Sequence, residues 1–261
     1  MELLDTDFCR RDGRTPIQYR SPIIMQTIFP NLSGSCKVRL GGTSILTTVH
    51  GPVSKLYDGQ KFLNIELVIA PEAREKTFTS KADIAKLSEL SSWLEEVFVS
   101  NILADNLPNS VITARIVVEQ DDGSVLANCV TSLSIALMDA EVPMKSLLVG
   151  TEFTFFEKAL SVSTPQQPWL IPKPASAIQE GPAAQEKVQR EIMLIDPLKY
   201  EEENGSRSHL VIVTNPYTYR VVGSRVDGQL IPTSVYPHLI HFAAEYSEAY
   251  ADSVVNTILP S

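Results

Sequence analysis

Cysteine is scarce in this chain of 261 residues, which contains only Cys9, Cys36 and Cys129. The three are widely spaced and form no C-x-x-C pair, so the sequence indicates neither a disulfide framework nor a zinc site. Charged residues interrupt the first eleven positions, so no apolar signal-peptide core is expected there. Together these features predict free thiols and a reducing compartment.

Long apolar runs and an excess of positive charge are also missing. No run approaches the roughly 18 residues that a membrane-spanning helix needs. The formal net charge is −9, whereas proteins that bind nucleic acid on their own usually carry a basic surface. Any contact with nucleic acid is therefore expected from a local basic patch or from partner chains.

The hydrophobic pattern predicts a mixed α/β fold. Period-two and β-branched segments predict strands, and apolar stripes at spacings of three and four predict helices. Helix 125–140 is apolar on every side and is expected to be buried. Strand pairs interrupt the alternation of strands and helices, which argues against a doubly wound parallel sheet. The predicted strands are 36–40, 44–50, 62–70, 111–119, 147–156, 191–195, 208–214 and 219–225, and the predicted helices are 80–103, 125–140 and 234–258.

One domain is expected over residues 1–261, with two irregular segments. Residues 1–20 are polar and turn-rich and predict an extended N-terminal arm. Residues from about 161 to 189 contain five prolines and many small or polar residues. This composition predicts a long flexible excursion without core elements.

Three groups of short motifs follow one another along the chain. They are Arg11-Asp12-Gly13-Arg14 with Gly41-Gly42-Thr43 and Val49-His50-Gly51-Pro52; Asp121-Asp122-Gly123-Ser124 with Ala136-Leu137-Met138-Asp139-Ala140 and Val142-Pro143-Met144; and Leu194-Ile195-Asp196-Pro197 with Glu201-Glu202-Glu203. In this order they resemble the RNase PH family. Within that family the chain is most similar to eukaryotic exosome ring subunits of the ribosomal RNA-processing protein forty-six type. The resemblance runs from Arg11 to about Gly228 and implies an RNase PH-like fold of mixed sheets with packed helices.

The resemblance also implies where phosphorolysis would take place. In active members the D-G turn continues as G-G-T-R, and the arginine binds phosphate. The corresponding residues here are Gly123, Ser124, Val125 and Leu126. Gly123 and Ser124 are expected to present backbone N–H groups still, but Leu126 has no group that holds an anion. We therefore expect a degenerate phosphate site and no catalytic residue.

The metal half of the implied site also departs from the family pattern. Asp196 matches the first of two metal-binding aspartates, but the second position falls near His209, and Mg²⁺ prefers carboxylate oxygens. Asp196 is expected to be an Asp-Pro turn residue that accepts a backbone N–H, and 201–203 to be a solvated loop. His238 and His241 lack a third zinc ligand, so no metal and no cofactor is expected.

The leading interpretation is a non-catalytic structural subunit of the exosome core ring, which supports 3′-to-5′ RNA processing and degradation and lines or braces the RNA channel. The implied partners are other RNase PH-like ring subunits, cap subunits, associated hydrolytic nucleases and RNA, with no membrane. The implied locations are nucleus, nucleolus and cytoplasm. Among the basic residues, Arg74, Lys76 and Lys81 are the expected RNA contacts.

Two other interpretations stay open at this point. One is an active phosphorolytic 3′–5′ exoribonuclease subunit, whose phosphate site an arginine of a partner would complete. The other is a stand-alone interaction domain outside the ring, with which the acidic charge and the proline-rich segment are compatible.

Overall fold

A computed structural model describes residues 4, 8–55, 59–73, 81–161, 167–171, 187–204, 206–229 and 231–258. These residues form ten strands and four α-helices. The strands are β1 (Pro22–Gln26), β2 (Gly34–Leu40), β3 (Thr43–Ser54), β4 (Leu63–Ile69), β5 (Ser110–Gln120), β6 (Val149–Ser161), β7 (Leu170–Ile171), β8 (Lys187–Ile195), β9 (Ser208–Asn215) and β10 (Arg220–Gly228). The helices are α1 (Lys81–Asn101), α2 (Val125–Asp139), α3 (Lys199–Glu203) and α4 (Tyr236–Ile258).

The first sheet has the strand order β1-β2-β3-β5-β4. Only β4 and β5 pair in parallel, with Leu63 opposite Ile112, and the remaining neighbours are antiparallel. The predicted hairpin is confirmed as β2 and β3. β3 continues beyond the Gly51-Pro52 dipeptide, through a register shift after His50.

The second sheet has the order β10-β9-β6-β8-β7, and all of its neighbours are antiparallel. Phe153 on the central strand β6 lies opposite Ile195 on one side and Leu210 on the other. All three side chains are buried. The two sheets and their helices confirm the predicted mixed α/β fold class.

Helix α2 lies between the two sheets and packs on β2, β3, β6 and β9. A glycine in each sheet allows that sheet to approach the backbone of α2 closely. A Cβ atom on Gly34 of β2 would lie 2.3 Å from the Ala136 carbonyl oxygen, and one on Gly150 of β6 would lie 2.4 Å from the Ala127 carbonyl oxygen. The predicted burial of this helix is therefore confirmed on both of its faces.

The outer helices complete the core. α1 packs against β4, and α4 packs against β6 and β9 and reaches β1. Tyr246 on α4 is buried and meets Tyr19 edge-on, with ring centroids 4.7 Å apart. The N-terminal segment is thereby tied to the closing helix. No helix within the described ranges is long and apolar enough to cross a membrane.

The segment 161–189 corrects the expectation of an excursion without core elements. Its described part includes strand β7, which pairs with β8, and Trp169, Leu170 and Ile171 are buried. β8 also begins at Lys187, earlier than the sequence predicts. Trp169 and Leu170 belong to one buried apolar cluster and Ile171 to another, so the proline content of the segment does not indicate the absence of core residues. Residues 162–166 and 172–186 lie outside the described residues.

Candidate anion site at the start of α2

The Asp121–Ser124 turn joins β5 to α2 and contains the predicted phosphate-site positions. The Ser124 N–H donates to Glu202 Oε1 at 2.7 Å, and the Gly123 N–H donates to Asp121 Oδ1 at 3.2 Å. The Ser124 hydroxyl lies 3.3 Å from the Pro197 carbonyl oxygen. A helix N-terminus favours negative charge, and here carboxylates of the chain itself supply that charge.

The expectation that Gly123 and Ser124 present free N–H groups is therefore wrong. Sequence reasoning missed Glu202, because α3 places it against a turn 78 positions earlier in the chain. The first two residues of α2, Val125 and Leu126, are both aliphatic and pack against the main hydrophobic core. This end of α2 thus offers no cationic side chain of its own to an external anion.

Asp196 sits beside this turn and is a buried ion-pair centre. Its Oδ2 accepts the backbone N–H of Arg20 at 2.9 Å, Arg20 Nε at 2.8 Å and Arg14 Nη1 at 3.0 Å. Its Oδ1 accepts Arg20 Nη2 at 2.6 Å. Asp196 thus accepts a backbone N–H as predicted, but the donor is Arg20, 176 positions earlier, and not a residue of the Asp-Pro turn; two guanidinium groups also bind the carboxylate. Burial alone would lower the pKa of Arg20, but the hydrogen bonds and charge of Asp196 outweigh burial and raise it.

A second ion pair lies next to the first. Arg10 Nε donates to Glu201 Oε1 at 2.9 Å, and Arg10 Nη2 donates to Glu201 Oε2. Both side chains are buried, and Arg10 also donates to the Ile195 and Asp196 carbonyl oxygens at 2.8 Å each. The expectation of a solvated loop over 201–203 is therefore wrong for Glu201, whose partner lies 191 positions away. Glu203 is exposed.

A cavity of about 290 Å³ opens beside the start of α2, with Leu126, Glu152, Glu202 and His209 among its lining residues. Burial raises the pKa of the Glu152 carboxyl well above its usual range, and the charges of Glu202 and Asp196 raise it further. Burial likewise raises the pKa of Glu202 to about 7, although the Ser124 N–H opposes the increase. The cavity wall is therefore acidic and poorly solvated.

His209 does not act as a cationic partner of Glu152. Its Nδ1 lies 3.9 Å from Glu152 Oε1, too far for a hydrogen bond. Burial lowers the pKa of His209, so the imidazole is mainly neutral at neutral pH. The contact is therefore not an ion pair under those conditions.

Neither phosphate nor Mg²⁺ fits these residues as the family resemblance would place them. An entering phosphate would meet Glu202 at the α2 N-terminus, and both Asp196 oxygens are already bonded to arginine. Within the described ranges, no group of three or more His, Cys, Asp or Glu side chains is arranged to hold a metal ion. No step of phosphorolysis is therefore assigned to this site.

The three residues predicted to contact RNA are not positioned by the structure. Arg74 and Lys76 lie outside the described residues, as does the side chain of Lys81, the first residue of α1. Their role stays a prediction.

In a comparison with known protein families, residues 18–143 match the 3′ exoribonuclease family, domain 1. The exosome complex component ski6 of Schizosaccharomyces pombe is 33% identical over 155 residues, which cover 56% of this chain and 63% of that protein. The exosome complex component Rrp41 of Pyrobaculum aerophilum is 31% identical over 147 residues, which cover 54% and 59%. The matches thus span less than two thirds of these relatives.

Two solved structures share the fold over almost the whole chain. Rice (Oryza sativa) Rrp46 superposes with a TM-score of 0.69 at 22% identity, covering 95% of this chain and 99% of that one. A chain of the Archaeoglobus fulgidus exosome, solved with RNA bound to the active site, gives 0.68 at 18% identity, covering 95% and 93%. The sequence relatives carry other subunit names than the rice structure, so the predicted subunit type stays a prediction.

Proposed function

We propose that the protein, whose residues 18–143 match the 3′ exoribonuclease family, domain 1, is a ring subunit of an exosome core that does not itself perform phosphorolysis. It supports 3′-to-5′ RNA processing and degradation by helping to build the ring and its channel. The proposed partners are other RNase PH-like subunits, cap subunits, hydrolytic nucleases and RNA. The proposed locations are nucleus, nucleolus and cytoplasm.

One contact supports the proposal that the protein is non-catalytic: the Ser124 N–H donates a hydrogen bond to the Glu202 carboxyl group. Inorganic phosphate would have to displace this carboxylate and would find only Val125 and Leu126 where a guanidinium is needed. Each charge-assisted hydrogen bond that is missing costs about 1.5–3 kcal/mol of binding. The nearest guanidinium, that of Arg20, is held by Asp196. A site whose N–H group is already bonded to a carboxyl group, and whose nearest guanidinium is paired, should bind phosphate too weakly to react.

Phosphorolysis is tested with the purified chain, RNA labelled at its 3′ end, inorganic phosphate and Mg²⁺. We expect no release of nucleoside diphosphates above a matched reaction in which chloride replaces phosphate. Phosphate-dependent release by the chain alone would overturn the non-catalytic assignment.

Ring membership is tested separately, by size-exclusion chromatography and mass spectrometry of the native protein from cells. We expect a large complex that contains several RNase PH-like chains. A free monomer without such partners would favour the stand-alone interaction domain instead.

An active phosphorolytic subunit is the second candidate. It is supported by the archaeal exosome with the same fold, which was solved with RNA bound to the active site, and by the cavity beside the start of α2. This candidate requires an arginine from a neighbouring subunit to complete the phosphate site. Nucleoside diphosphate release that appears only when a partner subunit is added would favour it.

A further inference from the structure

The cavity beside α2 has two chemically different sides. One is aliphatic and is formed by Leu67, Leu90, Val125, Leu126 and Val211; the other contains the carboxyl groups of Glu152 and Glu202. Its volume of about 290 Å³ lies at the small end of ligand pockets, which begin near roughly 300 Å³. The space suits one long side chain better than a nucleotide.

Glu152 is the buried acid of this cavity and lacks a partner on one oxygen. The residue is 8% exposed, and its Oε2 is fully buried without any hydrogen bond. Buried polar atoms are almost always hydrogen-bonded, and an exception needs a physical explanation. A donor that arrives with a ligand would satisfy this oxygen.

Among the described residues, the two basic side chains that line the cavity, Lys86 and Arg225, form no ion pair with Glu152 or Glu202. Arg225 donates to Glu89 Oε1 at 2.6 Å, and Lys86 lies 3.7 Å from Asp227 Oδ2. The two cations that line the cavity thus already have carboxylate partners. Glu152 and Glu202 leave an acidic excess deeper in the same space.

We propose that this cavity binds the side chain of an arginine or lysine from another protein chain. The aliphatic stem packs on Leu126 and Leu90, and the cationic head donates hydrogen bonds to Glu152 and Glu202. Long basic side chains characteristically bury their stem on an apolar surface, and Arg suits a buried carboxylate best because its fork makes two bonds. A metal ion does not explain the cavity, because the described acidic residues form no metal-binding group.

Binding is tested by NMR titration of the purified chain with Nα-acetyl-arginine methylamide and with its lysine counterpart. The corresponding citrulline compound is the neutral control for arginine, since it has nearly the same shape without the charge. We expect resonances of residues around the cavity to shift with arginine or lysine and not with citrulline. Equal binding of citrulline, or saturable binding of phosphate in place of the cations, would overturn the proposal.

Three variants locate the site. Glu152→Gln prevents ionisation at nearly constant volume and should weaken arginine binding at about pH 8 by about tenfold or more, as expected for a lost charge-assisted bond. Leu90→Trp fills the aliphatic side and should also weaken binding, which guards against a folding defect in the first variant. Glu66→Gln removes an exposed charge outside the cavity and should leave the affinity unchanged. Unaltered binding by both cavity variants would place the ligand elsewhere.

The pH dependence provides a further readout. Several charged or titratable groups surround Glu152 and Glu202. They are Glu203 on α3, Asp121 and Asp196 in the neighbouring turns, Arg20 before β1, Lys86 on α1, Cys129 on α2, His209 on β9, and Arg225 and Asp227 on β10. Because the carboxyl groups of Glu152 and Glu202 hold protons above their usual pH range, arginine affinity should increase from about pH 5 to about pH 8. In Glu152→Gln this increase should be smaller, and an equally steep increase would contradict the assignment.

Discussion

Asp196 binds Arg20 and Arg14 at the same time, with Oδ1 2.6 Å from Arg20 Nη2 and Oδ2 3.0 Å from Arg14 Nη1. The arginines come from the segment before β1, and Asp196 follows β8, 176 positions beyond Arg20. The three side chains are nearly excluded from solvent. The first and last thirds of the chain are thus joined by charge as well as by apolar packing.

Asp196→Asn should strongly destabilise the protein. The change removes the buried anion that Arg14 and Arg20 share and leaves them only Asp12 and Asp122, which are both more exposed. Breaking a buried pair in this way costs about 3–5 kcal/mol. Urea unfolding followed by circular dichroism measures the loss. Glu66→Gln is the matched control, because its pair with Arg115 is largely exposed and should contribute less than about 1 kcal/mol. Equal effects of the two changes would contradict the role of Asp196.

The elements that the sequence predicted are those with a strong local signal. The alternation in 62–70 matches β4, where Leu63, Ile65 and Leu67 are buried. The predominantly apolar segment 125–140 matches α2, which is covered on both sides. In each case the order of apolar and polar residues within the segment predicts which side chains are buried. These elements can therefore be predicted without information on distant contacts.

The elements that the sequence did not predict depend on distant partners. Strand β1 buries only Ile24 among its five residues, so its hydrophobic pattern does not distinguish it from a loop. Glu201 and Glu202 belong to an acidic triplet that usually indicates a solvated surface. Their burial follows from Arg10 and from the α2 N-terminus, and neither partner can be inferred from the acidic triplet itself.

Gly150→Ala should destabilise the packing of α2 on the second sheet. The added Cβ would lie 2.4 Å from the Ala127 carbonyl oxygen and 2.7 Å from its Cα, and backbone atoms in a packed core cannot move apart easily. Overpacking of this kind costs about 1–3 kcal/mol, measured as a lower free energy of unfolding. Gly223→Ala is the control, since its Cβ would first meet a methyl group of Val97 at 2.9 Å. The control should lose less stability, and a larger loss there would contradict the packing argument.

The stability of the Glu202→Gln variant relative to the original chain should increase with pH. The folded state raises the pKa of Glu202 from 4.5 to about 7, so its proton stabilises the folded state below about pH 4.5 and this contribution is lost as pH rises through about 7. Glutamine never ionises, and its carbonyl oxygen still accepts the Ser124 N–H. The variant's free energy of unfolding relative to the original chain should therefore rise between about pH 5 and about pH 8.

Urea unfolding of both proteins at several pH values measures this difference. Glu66→Gln again provides the control, with a difference that should change little over the same range. A constant difference for Glu202→Gln would show that Glu202 ionises in the folded state as it does in the unfolded chain, which would contradict the effect of burial on its pKa.

Reversing the charge of Arg74, Lys76 and Lys81 to glutamate should weaken RNA binding by the assembled ring. If these residues contact phosphates in the channel, each change lowers the number of counterions released on RNA binding by about one. The slope of log affinity against log salt should then become shallower by about 0.7–0.9 per contact. Fluorescence anisotropy with single-stranded RNA between about 50 and about 200 mM salt measures both effects. Arg207→Glu is the matched control, because Arg207 is partly exposed and already paired with Glu157 at 2.8 Å. Unchanged affinity and slope in the triple variant, with the ring intact by size-exclusion chromatography, would exclude these residues from the RNA path and leave the chain a bracing role in the ring.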